Sequence, residues 1–318
     1  LGGHSLLAAR MLADVARATG RTLPLSTMIL APTTARLAAV LAAGPDTRAE
    51  DSTLVQMRAG SGRPLFMLHS ITGSVMECLA LAGMVQNERP VYGLQALGLD
   101  GDEAPQHSVE EMARGYVLRM REVQPSGPYA LVGYSFGGLV AFEIAQQLVA
   151  AGEKIEMLCL LDTYVHTRCL PLSYWTRYQA AVVVDRLREL RSLEASQRLP
   201  YMRGKAAAIT DQVRMRMGKQ AHRPAADSAG LPPVLQRVRE SMRVAMSTYK
   251  PRRYEGGPIV YVRASLLDNS RSDPLPVWRR VAKHGLRVML VDGRHTDLVV
   301  EPQLASVAQT LTNALASA

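Results

Sequence analysis

"PYALVGYSFGGLVAFEIAQQLVAAG", residues 128–152, decides the fold. Residues 128–134 form an apolar run that predicts a buried strand. Residues 137–152 predict a helix, closed by Gly152. Between them stands G-x-S-x-G, residues 133–137, centred on Ser135. Strand, tight turn and helix are the context this motif needs to carry chemistry. Gly133 and Gly137 let backbone segments approach closely, and the turn lifts Ser135 to the end of the sheet. The amides of the following helix then point at the serine, where developing negative charge is stabilised.

Outward from this turn, strands and helices alternate. "TLVQM" (53–57), "PLFMLH" (64–69), "PVYGL" (90–94), "IEMLCLLD" (155–162), "GPIVYVRAS" (257–265) and "LRVMLVDG" (286–293) predict strands. Residues 108–123, a segment near Trp278 and "QLASVAQTLTNALA" (303–316) predict helices. Such alternation predicts an α/β fold with a parallel sheet. Residues 164–250 interrupt it with a helical, Arg-rich insertion holding 16 Lys or Arg against 6 Asp or Glu.

A nucleophilic serine needs a base, and the base needs an orienting acid. His295, in "VDGRHTDLV", follows the last strand and precedes the last helix, where the chain order Ser, acid, His places the base. His4, His107, His166, His222 and His284 lie in segments remote from the turn. His69 ends a strand and opens "HSITGS", read as an oxyanion loop. Two carboxylates compete for the acid: Asp162, ending the strand after the serine's helix, and Asp268, following the next strand. Both fall at the carboxyl edge of the sheet, where catalytic groups gather. Geometry alone leaves the two open. Asp292 and Asp297 beside the histidine are read as loop or cap residues.

The N-terminal segment is different. Leu6, Leu7, Met11, Leu12 and Val15 share one helical face, and "APTTARLAAVLAA" (31–43) predicts a short helix capped by Thr33 or Thr34. About 43 residues cannot bury a good core alone. "AGPDTRAEDS" (43–52) reads as a linker.

The 318 residues carry a net charge of +9, with 47% hydrophobic and 20% charged residues, an ordinary globular composition. The positive excess is confined to the insertion and accompanies no nucleic-acid module, so a nucleic-acid partner is not expected. No apolar run reaches a membrane-spanning length. Cys78, Cys159 and Cys169 are too few and scattered for a disulfide frame or a zinc site. A reducing, cytoplasmic setting without a metal is expected.

"LGGHSL" (1–6), continued by "LPLSTMILAPTTARLAAVL" (23–41), resembles the attachment motif and second half of a peptidyl carrier domain of a nonribosomal peptide synthetase. "PLFMLHSITGSV", "GYSFGGLVAFEIA", "LLDTY" and "GRHTDLV" resemble, in order, the terminal type I thioesterase of such assembly lines. The resemblance implies an α/β-hydrolase with a mostly parallel sheet and a helical lid at about 164–250. It implies a partial carrier at 1–43, with the chain beginning inside that carrier, then a linker at 44–53 and a thioesterase at 54–318. It implies Asp162 as the acid, with Asp268 in reserve, and the backbone amides of Phe136 and Ile71 as the oxyanion hole. The family often has Pro-Ala-Gly-Gly after the strand histidine, whereas this chain has Ser70-Ile71-Thr72-Gly73. Ser5 is similar to the serine that carries 4′-phosphopantetheine.

The implied activity is release of a peptidyl or acyl chain from a pantetheine thioester, by hydrolysis or macrocyclisation, in secondary metabolite or antibiotic biosynthesis. The partners implied are carrier domains and upstream synthetase modules. Two rival functions are a free-standing serine esterase or lipase, and a carrier or docking module with an inactive hydrolase. The basic insertion carries a further expectation, that Arg177, Arg186, Arg188, Arg214 and Arg216 attract a loaded carrier.

Overall fold

A computed structural model describes residues 5–21, 23, 27–43, 53–99, 103–194, 196–204, 210, 231–266 and 272–317. Seven strands form one sheet: β1 (Leu54–Arg58), β2 (Leu65–Leu68), β3 (Val91–Leu94), β4 (Tyr129–Tyr134), β5 (Ile155–Leu161), β6 (Ile259–Ala264) and β7 (Leu286–Val291). Their order is β1-β3-β2-β4-β5-β6-β7. All pairings are parallel except β1 with β3. The antiparallel edge strand is the one pairing that the alternation of elements does not give.

The central strands are apolar throughout because both faces are covered. Alternate residues divide between two cores. Phe66, Leu68, Tyr129, Leu131, Leu158 and Leu160 face one side. Leu65, Met67, Ala130, Val132, Met157, Cys159 and Leu161 face the other. The N-terminal helices are α1 (Ser5–Thr19), α2 (Thr27–Leu30) and α3 (Thr34–Ala42), and further helices include α4 (Leu79–Met84), α5 (Val109–Val123), α6 (Phe136–Ala150), α7 (Leu172–Ser192), α8 (Pro233–Thr248), α9 (Leu275–Val281) and α10 (Gln303–Ala316). Helices α5, α6, α8 and α9 supply the first core; α4 and α10 supply the second. The short α4 and the turn before it were not predicted, since six residues carry too little periodicity to read.

Both helices expected in the N-terminal segment are present. Helix α1 spans the amphipathic stretch, and Thr33 rather than Thr34 caps α3, accepting from the Arg36 amide at 3.2 Å. Ala8 and Leu12 of α1 pack with Leu23, Met28 and Met76. The linker at 44–52 lies outside the described residues.

Within the insertion, α7 is helical over 21 residues and buries none of them, exposing Leu172, Tyr174, Val183, Val184 and Leu187. Helix α8 returns the chain to the body through Val238, Met242 and Ala245. Residues 205–209 and 211–230, with Arg214, Arg216 and His222, lie outside the described residues. Among the described residues no helix is long and apolar enough to cross a membrane.

Candidate active site

The fourth of seven strands ends at Tyr134, and Ser135 turns the chain into α6. Ser135 has φ 55° and ψ −119°. A non-glycine residue held there is strained by roughly 1–3 kcal/mol, and the surroundings must hold it in place. They do so tightly. The Ser135 amide donates to the Leu161 carbonyl at 2.9 Å, tying the turn to the neighbouring strand. A Cβ added at Gly133 would strike the Gly137 carbonyl, one at Gly137 the His69 carbonyl, and one at Gly138 the Thr163 side chain. The motif's glycines are therefore the places where β2, β5 and α6 converge.

Asp162 stands one residue beyond β5, beside this turn, and also has positive φ, 43°. Its amide donates to the Val262 carbonyl at 2.7 Å, and its Oδ1 accepts from the Ala264 amide at 3.2 Å. The next carbonyl, of Thr163, accepts from the Tyr261 hydroxyl at 3.1 Å and the Trp278 indole at 3.0 Å. Strand β6 and helix α9 thus hold the backbone that aims Asp162.

His295 opens a short 3-10 turn after β7 (His295–Val299). Asp297 caps that turn by accepting from the Arg294 amide at 2.8 Å, which is the cap role expected of it. The His295 ring joins the two acidic and nucleophilic elements: Nδ1 lies 2.8 Å from Asp162 Oδ2, and Nε2 lies 2.9 Å from Ser135 Oγ. A carboxylate only accepts, so Nδ1 carries the proton and Nε2 is left to accept from the serine hydroxyl. Tyr134 stacks on the imidazole with centroids 5.2 Å apart, Tyr164 meets it edge-on at 5.4 Å, and the Tyr134 hydroxyl donates to the His295 carbonyl at 3.0 Å. These two tyrosines were not singled out from the sequence. Tyr134 sits in the motif's variable position, and Tyr164 adjoins "LLD", so proximity to the two motifs was the available signal.

Asp268 lies outside the described residues; Asp162 is the carboxylate the structure puts on the imidazole. Asp292 is exposed. His107 contacts Ser241 Oγ, His166 caps the turn at Thr167–Cys169, and His284 is exposed, so none reaches Ser135 among the described residues. His4 lies outside them.

The Phe136 amide opens α6 and so has no intrahelical acceptor behind it. Ile71 lies on the loop that follows His69, and His69 stacks on the Phe136 ring at 6.0 Å. That loop therefore passes beside the start of α6.

His69 is fully buried. Its Nδ1 donates to the Ser70 carbonyl at 2.6 Å, leaving Nε2 to accept from the Tyr116 hydroxyl at 2.7 Å. Burial lowers its pKa from the ordinary 6.5 to about 4. As pH falls, the unfolded chain takes up this proton before the folded chain does. Stability contributed by the neutral, buried ring is therefore complete above pH 6.5 and is lost as pH falls toward 4, by about 3 kcal/mol. Chemical denaturation at pH 7, 5.5 and 4 should show this slope, and His69→Asn should flatten it.

No group of described His, Cys, Asp or Glu residues has the arrangement of a metal site. Residues 63–315 match the family described as the thioesterase domain. The chain belongs to the thioesterase domain family. A dimodular nonribosomal peptide synthase of Bacillus subtilis (strain 168) is 29% identical to this thioesterase chain over 325 residues, covering 98% of the chain and 13% of the relative. The malpibaldin synthetase of Mortierella alpina is 41% identical over 165 residues, 51% of the chain and 3% of the relative. The chain thus spans a small fraction of the synthetases it matches. In structure, it is similar to a four-domain nonribosomal peptide synthetase bound to AMP and glycine, with TM-score 0.61, 25% identity, and coverage of 98% of this chain and 24% of that one. The NocB thioesterase domain shares the fold, with TM-score 0.55 and 23% identity over 82% of this chain and 98% of that one. The sheet and its covering helices are those of an α/β-hydrolase.

Proposed function

We propose that this thioesterase domain releases a peptidyl or acyl chain from a carrier-bound pantetheine thioester in nonribosomal peptide synthesis. The observation that supports this best is the continuous hydrogen-bonded relay from Ser135 Oγ through His295 to Asp162, at 2.9 and 2.8 Å. Ser135 Oγ attacks the thioester carbonyl as its proton passes to His295 Nε2. Asp162 keeps the ring in the required tautomer and stabilises the imidazolium. The Phe136 and Ile71 amides receive the oxyanion. The carbon–sulfur bond breaks, the thiol leaves with the proton from His295, and an ester to Ser135 remains. Water, or an amine or hydroxyl of the bound chain, then attacks the ester with His295 again taking the proton. The product is a free acid or a ring.

Residues 1–43 are read as the second half of a carrier, joined through residues 44–53. In this reading Ser5, in "LGGHSL", is the serine that carries 4′-phosphopantetheine. The partners in this reading are carrier domains and the modules that load them.

A synthetic peptidyl-pantetheine offered to the chain tests the proposal. Intact-mass measurement should show an acyl adduct followed by its loss, with product release much faster than from the matching oxygen ester. Equal turnover of simple oxygen esters would favour an esterase, and no adduct at all would reject the proposal.

The insertion supports a finer reading, that its basic residues attract the carrier. Arg177, Arg186 and Arg188 lie on the exposed α7. Attraction between exposed charges weakens as the screening length falls from ~10 Å at 0.1 M salt to ~3 Å at 1 M. kcat/KM for a substrate on a complete carrier should therefore fall steeply with salt, while that for a small uncharged thioester should not. Equal responses would make these arginines ordinary surface.

A further inference from the structure

We infer that Glu77 is a positioning residue for the oxyanion loop, holding Ser70 and Thr72 so that the Ile71 amide between them faces the reacting carbonyl. This rests on the reading of Ser135 and His295 as the catalytic pair and names a group that the catalytic relay does not use.

Glu77 lies on the short 3-10 turn Met76–Cys78, which the buried Cys78 roots in the core. The chain doubles back between residues 70 and 77, helped by Gly73 at φ 82°. One carboxylate oxygen, Oε1, then accepts twice: from the Ser70 amide at 3.1 Å and from the Thr72 hydroxyl at 3.1 Å. The remaining contacts close on the same loop. The Thr72 amide donates to Ser70 Oγ at 3.2 Å, and the Gly73 amide to the Ser70 carbonyl at 3.1 Å. The Ser70 carbonyl also holds His69, which stacks on Phe136. Residues on both sides of Ile71 are thus fixed to one half-buried carboxyl group, and the loop they form lies against the residue whose amide is the other proposed oxyanion donor.

The carboxyl group is also within electrostatic reach of the base. Burial raises the Glu77 pKa above the usual carboxylate range, and the hydrogen bonds from Ser70 and Thr72 oppose that rise without cancelling it. An acidic group placed there has no part in the Ser–His–Asp relay, and the loop hydrogen bonds give it a different use. An oxyanion donor is effective only when it is held where the charge develops, and a displacement of about 1 Å can cost ~10² in rate.

Two substitutions separate positioning from simple packing. Glu77→Gln keeps an acceptor at Oε1; Glu77→Met keeps the length and loses both acceptors. With a peptidyl-pantetheine substrate, Glu77→Met should lower kcat by about 10- to 100-fold with KM nearly unchanged, since the lost stabilisation belongs to the transition state. Glu77→Gln should restore kcat to near the wild-type value. The rate of labelling by a fluorophosphonate should follow the same order. A Glu77→Met chain with wild-type kcat, or a Glu77→Gln chain as slow as Glu77→Met, overturns the inference. Where Glu77→Met does not melt cooperatively, Thr72→Val removes one of the two donors and should still lower kcat several-fold; an unchanged rate counts against the inference equally. A wild-type chain that takes no label removes the reading of Ser135 on which the inference rests. A labelled wild type with an equally reactive Glu77→Met removes this inference alone.

Discussion

Ser135→Ala should abolish the acyl adduct and fluorophosphonate labelling, and lower turnover by roughly 10⁶, the scale on which loss of a serine nucleophile acts. The hydroxyl oxygen is the atom that receives the acyl group, so no neighbouring group replaces it. Ser135 Oγ makes its hydrogen bond to His295 Nε2, and removing it leaves the imidazole in place on Asp162. Folding should be almost unaffected. Alanine retains the Cβ and therefore the strain at φ 55° that serine already bears. Ser135→Gly provides the control for that claim. Glycine enters this region freely, so the glycine variant should be equally inactive yet melt at a higher temperature than Ser135→Ala. An acyl adduct on the alanine variant, seen by intact mass, would reject Ser135 as the nucleophile.

The turn at residues 133–138 and the order of strands and helices were legible because they are local. Glycine spacing, an apolar run and a helical period each lie within a few neighbouring residues. The buried strands could likewise be read as fully apolar segments, and the structure divides their alternate residues between two cores. What the sequence left open depends on neighbours in space. Asp162 and Asp268 both follow parallel strands, and only the pairing of β5 with β4 puts the end of β5 beside Ser135. The positive φ of Asp162 has no local marker. Glu77 reads as an ordinary acidic residue until the chain doubles back and brings Ser70 onto it, seven residues away. Tyr134 and His295 are 161 residues apart in sequence, and their stacking follows from β7 ending near the same edge as β4. The antiparallel β1 was hidden for a related reason: a five-residue edge strand reads the same in either direction.

Asp162→Asn should lower turnover by up to ~10⁴ without unfolding the chain, as loss of an orienting carboxylate can do in such a relay. The backbone tolerates the change, since asparagine is among the residues that enter positive φ most readily. The direction in which the new amide points is set by its surroundings. The Ala264 amide donates to Asp162 Oδ1 and keeps its need for an acceptor, so the asparagine oxygen turns toward Ala264. The NH₂ group then faces His295 Nδ1, where Asp162 Oδ2 had accepted a hydrogen bond at 2.8 Å. Two donors cannot share that contact, so Nδ1 becomes the acceptor and the ring proton moves to Nε2. That nitrogen lies 2.9 Å from Ser135 Oγ and, once protonated, can no longer take the serine's proton. The loss should therefore appear mainly in kcat, with the pantetheine substrate still bound. Asp268→Asn, measured beside it, should stay within a few-fold of the unsubstituted chain. The opposite order of effects would assign the orienting carboxylate to Asp268, and near-normal turnover in both variants would mean that His295 is held in its working tautomer by something other than either aspartate.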